Sequence, residues 1–369
     1  MKKFYSKTRE YIPLFSLIVY ALTLVSFFLY LLVLKSVKFA DFFNYNLSAP
    51  TRLIMAWITY IFPFSVAELV VIISPLLLAL LVFLIVKAAK KGKRASIRFF
   101  NVIVAIASLI FVLFVWTYSS GYHTTRIEEK MGLDTSNVTK EELYLTSEIF
   151  INELNRLCQE VEYDESGASV MPYSYYEMSK KICDGYRSFV DEYDVLRTYP
   201  SRIKPIIFSE PMTYTHLAGI YTFMSGEANV NVNYPDFIVA TSSAHEMAHQ
   251  RGVAREDECN FISFAVLLET NDSFLIYSAY LDAYSIILSD LYDTDKELYF
   301  QLVSKLDTRV INDLINYSEF FKKYADSKAS EVTESVNNSY LQANGQEEGT
   351  KTYGMITNVI CKYLLKEKK

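Results

Sequence analysis

The stretch that decides how this chain is read runs from Thr241 to Phe261, "TSSAHEMAHQRGVAREDECNF", and holds two of its four histidines. His245 and His249 are four residues apart, so on a helix both imidazoles leave one face about one turn apart. That separation suits two ligands of one tetrahedral zinc, at roughly 2.0–2.1 Å each. Glu246 stands to the side of the pair, where it can reach a water on the metal without being a ligand. Two ligands and a general base on one turn form the HExxH arrangement. Gly252 is placed to end the helix in a left-handed conformation. Three residues on, "REDECNFISF" opens a second helix, whose first turn comes back beside the histidines. Glu256 and Glu258 lie on different sides of it, so one of them faces the metal. Glu256 is the preferred third ligand, with Asn260 four residues on to orient a ligand from behind; Glu258 is the reserve. A bare HExxH also occurs by chance on solvated helices. The apolar lead-in at Phe237, Ile238 and Val239, the glycine and the acidic helix start favour metal binding here.

Charge divides the chain in two. The whole carries 36 Lys and Arg against 42 Asp and Glu, a net charge of -6. Residues 1 to 118 hold 13 of the basic residues and only three acids (Glu10, Asp41 and Glu68), leaving 23 basic and 39 acidic residues for the rest. An acidic second part argues against nucleic acid, which needs a basic face to neutralise phosphates. The four cysteines, Cys158, Cys183, Cys259 and Cys361, show no CxxC spacing. They read as free, mostly buried thiols rather than disulfide staples, and nothing supports a Cys158–Cys183 bridge.

The basic first part is explained by lipid. Uncharged runs of 24, 18 and 24 residues lie between Glu10 and Lys35, between Glu68 and Lys87, and between Arg98 and His123. A helix needs about 20 apolar residues to cross the hydrocarbon core, so the runs predict three spans, at about 11–34, 66–87 and 99–120. The first is too long for a signal-peptide core and no A-x-A site follows it, so it reads as retained. Lys and Arg crowd the N-terminus and the second connection, while the first connection holds only Lys35, Lys38 and Arg52. The imbalance predicts a multi-pass protein of the cytoplasmic membrane, N-terminus inside, with everything from residue 123 outside on a tether. Within the first connection, residues 53–65 read as an interfacial helix on the outer leaflet. Glu68 reads as a hydrated carboxylate at the edge of the second span, with a buried functional role as the sharper alternative.

Residues 123–369 read as a mostly helical α+β ectodomain with one small sheet or hairpin. Thr139 and Glu142 form a capping-box pattern. A second helix follows, ended near Pro200, and "KPIIFSE" looks like a short strand. Residues 218–233 look like a hairpin turning at Ser225-Gly226, with Glu227, Asn229, Asn231 and Asn233 on its polar face. Pro235 starts the HExxH helix. The apolar run from Phe274 to Leu288, interrupted by Asp282, is too short to span and reads as a core helix. "DSKASEVTESVNN" reads as a polar stretch before a last helix near Met355 to Lys366.

"SSAHEMAHQRGVAREDECNFISFAV" resembles zinc metallopeptidases of the gluzincin type, including those with an ExxAD or ExxAN element. There the Glu is a zinc ligand and the last residue supports it, which the resemblance carries to Glu256 and Asn260. "EDECN" departs by placing Cys259 where alanine is usual, and the gap from His249 to Glu256 is short. More of the chain resembles a bacterial membrane family known as domain of unknown function 3810. The shared marks are three spans with a motif like "FPFSVAE", then "GEANVN", "AHEMAHQRG" and a tail like "YLQANGQEEGTKTYGMITNVI". That resemblance supplies no substrate.

The expectation is a membrane-anchored, zincin-like hydrolase, most simply a peptidase acting on proteins or peptides near the cell envelope. Zinc would be held by His245, His249 and Glu256, with Glu246 as general base. The alternative is a non-catalytic membrane sensor or assembly protein in which zinc pins two helices together. Weaker candidates are Glu227, Asn229 and Asn231 for binding substrate backbone by strand addition. Tyr214 and His216 are candidates for the oxyanion donor. The sequence leaves the oligomeric state open.

Overall fold

The computed structural model describes residues 9–346 and 356–367, and much of the tail motif after Gln346 lies outside them. Helix α1 (Leu14–Lys35) leads into α2 (Val37–Phe43), a π-turn at Asn44–Ser48 and α3 (Ala49–Tyr60). Two long apolar helices follow, α4 (Val66–Lys90) and α5 (Lys93–Thr117). Pro13 precedes α1 rather than lying inside it, as fits a residue without an N–H to give. Helices α1, α4, α5 and a later one, Ser273–Thr294, are long and apolar enough to cross a membrane. They differ in surroundings. No residue of α4 is buried, whereas 67% of the apolar window of Ser273–Thr294 is buried inside the protein.

The expected interfacial helix is α3, which starts earlier than position 53. Pro50 sits in its first turn, and Arg52, Ala56 and Thr59 form its buried face. Leu53, Ile54, Trp57 and Ile58 are exposed on the other. Reading Arg52 as an exposed connection charge is what put the start too late.

Past α5, a 3-10 turn (Ser119–His123) and α6 (Ile127–Lys130) lead to α7 (Lys140–Leu157), which carries the Thr139–Glu142 capping box. A two-residue hairpin, β1 (Glu162–Tyr163) and β2 (Ser169–Val170), precedes α8 (Tyr175–Tyr193). That helix ends at Asp194 in a left-handed conformation, well before Pro200. A three-stranded sheet follows: β3 (Lys204–Pro205), then α9 (Ser209–Thr213), β4 (Gly219–Thr222) and β5 (Glu227–Val230). Strand β5 is central, parallel to β3 and antiparallel to β4, so β4 is an edge. Six helices follow: α10 (Asp236–Gln250), α11 (Glu256–Leu268), α12 (Ser273–Thr294), α13 (Lys296–Val303), α14 (Thr308–Lys322) and α15 (Lys328–Ala343). After the gap in the description comes α16 (Thr357–Glu367). The "DSKASEVTESVNN" stretch is thus mostly helix, capped by Ser327.

The main core gathers side chains of α7, α8, α10, α11 and α12, and α10 and α12 run through it. All four cysteines are buried free thiols.

The apolar N-terminal part is joined to this core by polar clips rather than by a flexible tether. Glu68, in the first turn of α4, accepts from the backbone N–H groups of Ile207 and Phe208 at 2.9 and 2.8 Å. Glu227, in β5, accepts in return from Val66 and Ala67, the free N–H groups that open α4, at 3.0 and 2.9 Å. The motifs "FPFSVAE" and "GEANVN" therefore meet as the two halves of one carboxylate exchange. Glu227 is buried, so Glu227→Ala leaves two half-buried donors without their partner and is expected to cost about 1–3 kcal/mol, read as a fall in thermal midpoint in detergent. An unchanged midpoint would show that the exchange carries no stability.

Candidate metal centre

Helix α10 ends as its glycine requires. Gly252 has φ +98°, its N–H reaches the His249 carbonyl, and the Val253 N–H reaches the Ala248 carbonyl. This Schellman closure turns the chain back, so that Glu256, the first residue of α11, lies against the two histidines. His245 Nε2 is 3.1 Å from His249 Nε2 and 3.1 Å from Glu256 Oε2, and His249 Nε2 is 3.4 Å from the same oxygen. Four ligands at roughly 2.0–2.1 Å around a tetrahedral ion stand about 3.3 Å from one another, so these spacings match one face of such a site.

Proton placement sharpens the point. The Nδ1 of His245 lies 2.7 Å from Asn260 Oδ1, and that of His249 lies 2.9 Å from the Val253 carbonyl. Both partners are acceptors, so each imidazole keeps a proton on Nδ1 and, as a neutral ring, turns the lone pair of Nε2 inward. Three potential ligand atoms then converge: the two Nε2 atoms and Glu256 Oε2. An added imidazolium proton would satisfy only one pair, whereas a cation satisfies all three. Burial alone would raise the Glu256 carboxyl, but positive charge at the two imidazoles, which a bound cation would replace, outweighs it and holds the acid well below the usual carboxylate range.

Glu246 is buried beside this triangle. Burial pushes its carboxyl up to about 8, with His245 opposing the rise and Glu256 adding to it. One of its oxygens, Oε2, has no hydrogen-bond partner, and the Tyr221 N–H of β4 supports the carboxyl. Gly219 makes room for it: a Cβ there would stand 2.6 Å from both Glu246 Cγ and Oε1.

The ligand atoms of His245, His249 and Cys259 also lie within 4.8 Å of one another, a second set that could hold an ion. Cys259 Sγ, however, is 3.2 Å from His249 Nδ1, on the side of the ring that faces Val253. Its thiol is pushed well up by burial and by Glu256, which disfavours the thiolate a metal needs. The inward-facing set is His245, His249 and Glu256.

Other residues singled out in the sequence go elsewhere. Glu258 accepts from the Ile127 N–H and from Arg255, so it holds the segment after α5 and not the histidine face. The presumed polar face of the hairpin is buried. Asn229 bonds within its own sheet, to the Ile220 carbonyl and the Thr222 hydroxyl. Asn231 bonds to the Thr213 hydroxyl and the Leu217 carbonyl, and Glu227 caps α4. His216 contacts the Tyr324 carbonyl at 2.8 Å and packs on Phe321, while Tyr214 packs on Tyr324.

The aromatic shell of the site comes from places that the sequence reading assigned to membrane and core. The Tyr118 hydroxyl is 3.2 Å from His249 Nδ1, and the Tyr221 ring stacks on His249 at 6.5 Å. Tyr122 packs edge-on to Tyr118 and Tyr340, and its buried hydroxyl lacks a hydrogen-bond partner. The field of Glu256 adds to the burial that raises Tyr118, Tyr122 and Tyr340. The one available signal was the pair of tyrosines in "WTYSSGY", directly after the third apolar run. Asp282, the charge interrupting the α12 run, is open to solvent and lies in reach of Thr241 and the field of His245.

The end of α10 is gripped by the N-terminal part. Arg52 is fully buried and donates to Asn44 Oδ1, to the carbonyls of Asn44 and Thr117, and to the carbonyl of Arg251. Asn44 donates to the Gly252 carbonyl at 3.0 Å. A cation at a helix C-terminus is favourable, and here it arrives from 199 residues away in sequence.

Helices long and apolar enough to cross a membrane, clipped to a largely buried helix that carries His245, Glu246 and His249, suggest a membrane-associated protein with a candidate metal centre. The chain belongs to the family DUF3810, described as a protein of unknown function, whose model matches residues 43–361. The match begins one residue before Asn44, so it takes in the clamp, α4, α5 and the site while leaving out α1. No curated protein and no solved structure matches the chain.

Proposed function

We propose that this chain is a membrane-embedded zinc metallohydrolase, most simply a peptidase related in its site to the gluzincin type. Helices α1, α4 and α5 are its spans, with the N-terminus in the cytoplasm and the site outside. The observation that carries the reading is the convergence of three potential ligand atoms, His245 Nε2, His249 Nε2 and Glu256 Oε2, at 3.1–3.4 Å, with Glu246 beside them.

Zinc held there supplies the Lewis acidity that makes a water nucleophilic near neutral pH. The remaining work falls to the protein. Asn260 and the Val253 carbonyl fix the two imidazoles in the tautomer that offers Nε2. Glu246 takes the proton of the attacking water and delivers it to the leaving amine. Glu246 lies close enough to the three ligand atoms that a bound dication would oppose the burial that raises its carboxyl. Tyr122, its hydroxyl buried between Tyr118 and Tyr340 and within the field of Glu256, replaces Tyr214 and His216 as the donor for the developing oxyanion. The substrate backbone adds to the free edge of β4, the strand whose Tyr221 N–H already faces Glu246.

Metal analysis and hydrolysis test this together. Full-length protein purified without chelator is expected to hold about one zinc per chain, falling below about half in His245→Ala or His249→Ala. Chelation abolishes hydrolysis of membrane-fraction proteins and zinc restores it. Wild-type protein without bound metal would sink the proposal. Gly219→Ala is expected to keep the zinc yet slow hydrolysis by on the order of a hundredfold, because the added methyl displaces the base. Equal rates would mean that Glu246 does not act from this position.

A further inference from the structure

The depth of the site relative to the bilayer limits what can reach it, and this inference rests on the hydrolase reading above. The uncharged part of α5 runs from Phe99 to Thr117, and 19 residues of helix cover about 28 Å, nearly the whole hydrocarbon thickness. The next residue is Tyr118, whose hydroxyl touches His249. One tyrosine side chain therefore separates the end of a span from a candidate metal ligand.

The sheet confirms the level independently. Its β5 carboxylate, Glu227, caps the first turn of α4, where that span also begins. The turn between β4 and β5 rests on the end of α5, with the Phe223 ring 5.7 Å from that of Phe114. The same turn packs on α3, where a Cβ at Gly226 would lie 2.7 Å from that of Met55. Around it the surface is apolar and open: Trp57 is 72% exposed, Ile61 73% and Ile207 71%, with Phe208 and Met224 also exposed. An apolar rim continuous with three lipid-facing helices seats in the outer leaflet and leaves little room for water beneath it.

Strand β4 links the two levels. It starts at Gly219, against the general base, and reaches the end of the span at Phe223. Four residues of extended chain cover about 14 Å. A peptide paired along this edge is thus within a few residues of the bilayer surface when its scissile bond lies at Glu246. A folded soluble domain cannot bring its surface loops there without colliding with the membrane. We propose that the substrates are polypeptides anchored in the same bilayer, cut within a few residues of their own spanning helix or lipid-modified residue.

The test uses full-length protein in lipid nanodiscs or proteoliposomes, reconstituted with a detergent extract of bacterial membrane proteins. New N-termini are mapped by mass spectrometry for the wild type against Glu246→Gln, with zinc content confirmed in both. Wild-type-specific termini are expected to cluster within about ten residues of a spanning segment or a lipidated cysteine, and the mapped positions tell those two anchors apart. Termini scattered through soluble domains would overturn this inference while leaving the hydrolase reading intact. No wild-type-specific termini from zinc-loaded protein would overturn both.

Discussion

Glu246→Gln protein is expected to bind zinc as the wild type does, to melt within about 1 °C of it or slightly higher, and to lose hydrolysis by a factor of about 10²–10⁴. The metal stays because Glu246 contributes none of the three converging atoms. The fold stays because glutamine is isosteric and neutral, and the site already penalises a charge at that position by burying it. Activity goes because an amide cannot accept the water's proton. The outcome separates two classes of protein. Were zinc only a pin between α10 and α11, the variant would behave as wild type in every assay, while His245→Ala would unfold the domain. Comparing membrane proteins of cells that carry either form gives the direct reading, since substrates should accumulate uncut with the variant.

Arg52→Ala is expected to be the most destabilising single change outside the metal centre. The guanidinium satisfies four acceptors from three segments, and its loss strands the carbonyls of Asn44, Thr117 and Arg251 in a buried place. Each costs about 1–3 kcal/mol when left bare, and packing lost around the side chain adds to this. A total of about 3–5 kcal/mol is a large share of a domain's stability, so the variant should melt roughly 10 °C lower in detergent or fail to accumulate. Zinc content should fall with it, because the end of α10 carries His249. Lysine at 52 keeps the charge but not the fork, and should recover only part of the loss. A variant that melted and bound zinc normally would show that the first connection is a passive tether after all.

The convergence of His245, His249 and Glu256 was legible because a helix converts a spacing of four into a shared face, and because Gly252 states where that helix must turn. That only one of Glu256 and Glu258 faces the histidines followed from the same geometry, and the preference for Glu256 rested on Asn260 four residues on and on the resemblance. The apolar helices were equally plain in the charge-free runs. What the sequence hid was every contact between distant segments. Glu227, Asn229 and Asn231 alternate as a solvated face would, and nothing local says that α4 and a third strand cover that face. Tyr118 and Tyr122 look like an aromatic belt because the belt and the shell of the site are here the same residues. Arg52 counts in a topology rule as one more surface charge, yet it is among the largest fully buried side chains. A buried arginine is legible only once its acceptors are known, and one of those lies at residue 251.

The clamp also sets the order in which the protein can be finished. Asn44 and Arg52 are synthesised about two hundred residues before the carbonyls of Arg251 and Gly252 that they hold. Until those carbonyls have been brought against Asn44, Arg52 and the end of α5, the last turn of α10 has nothing to grip it. Placement of the N-terminal helices must therefore precede completion of the histidine helix. The candidate metal centre is thus completed late, where the N-terminal part already holds its place, and a partly synthesised chain carries only its pieces.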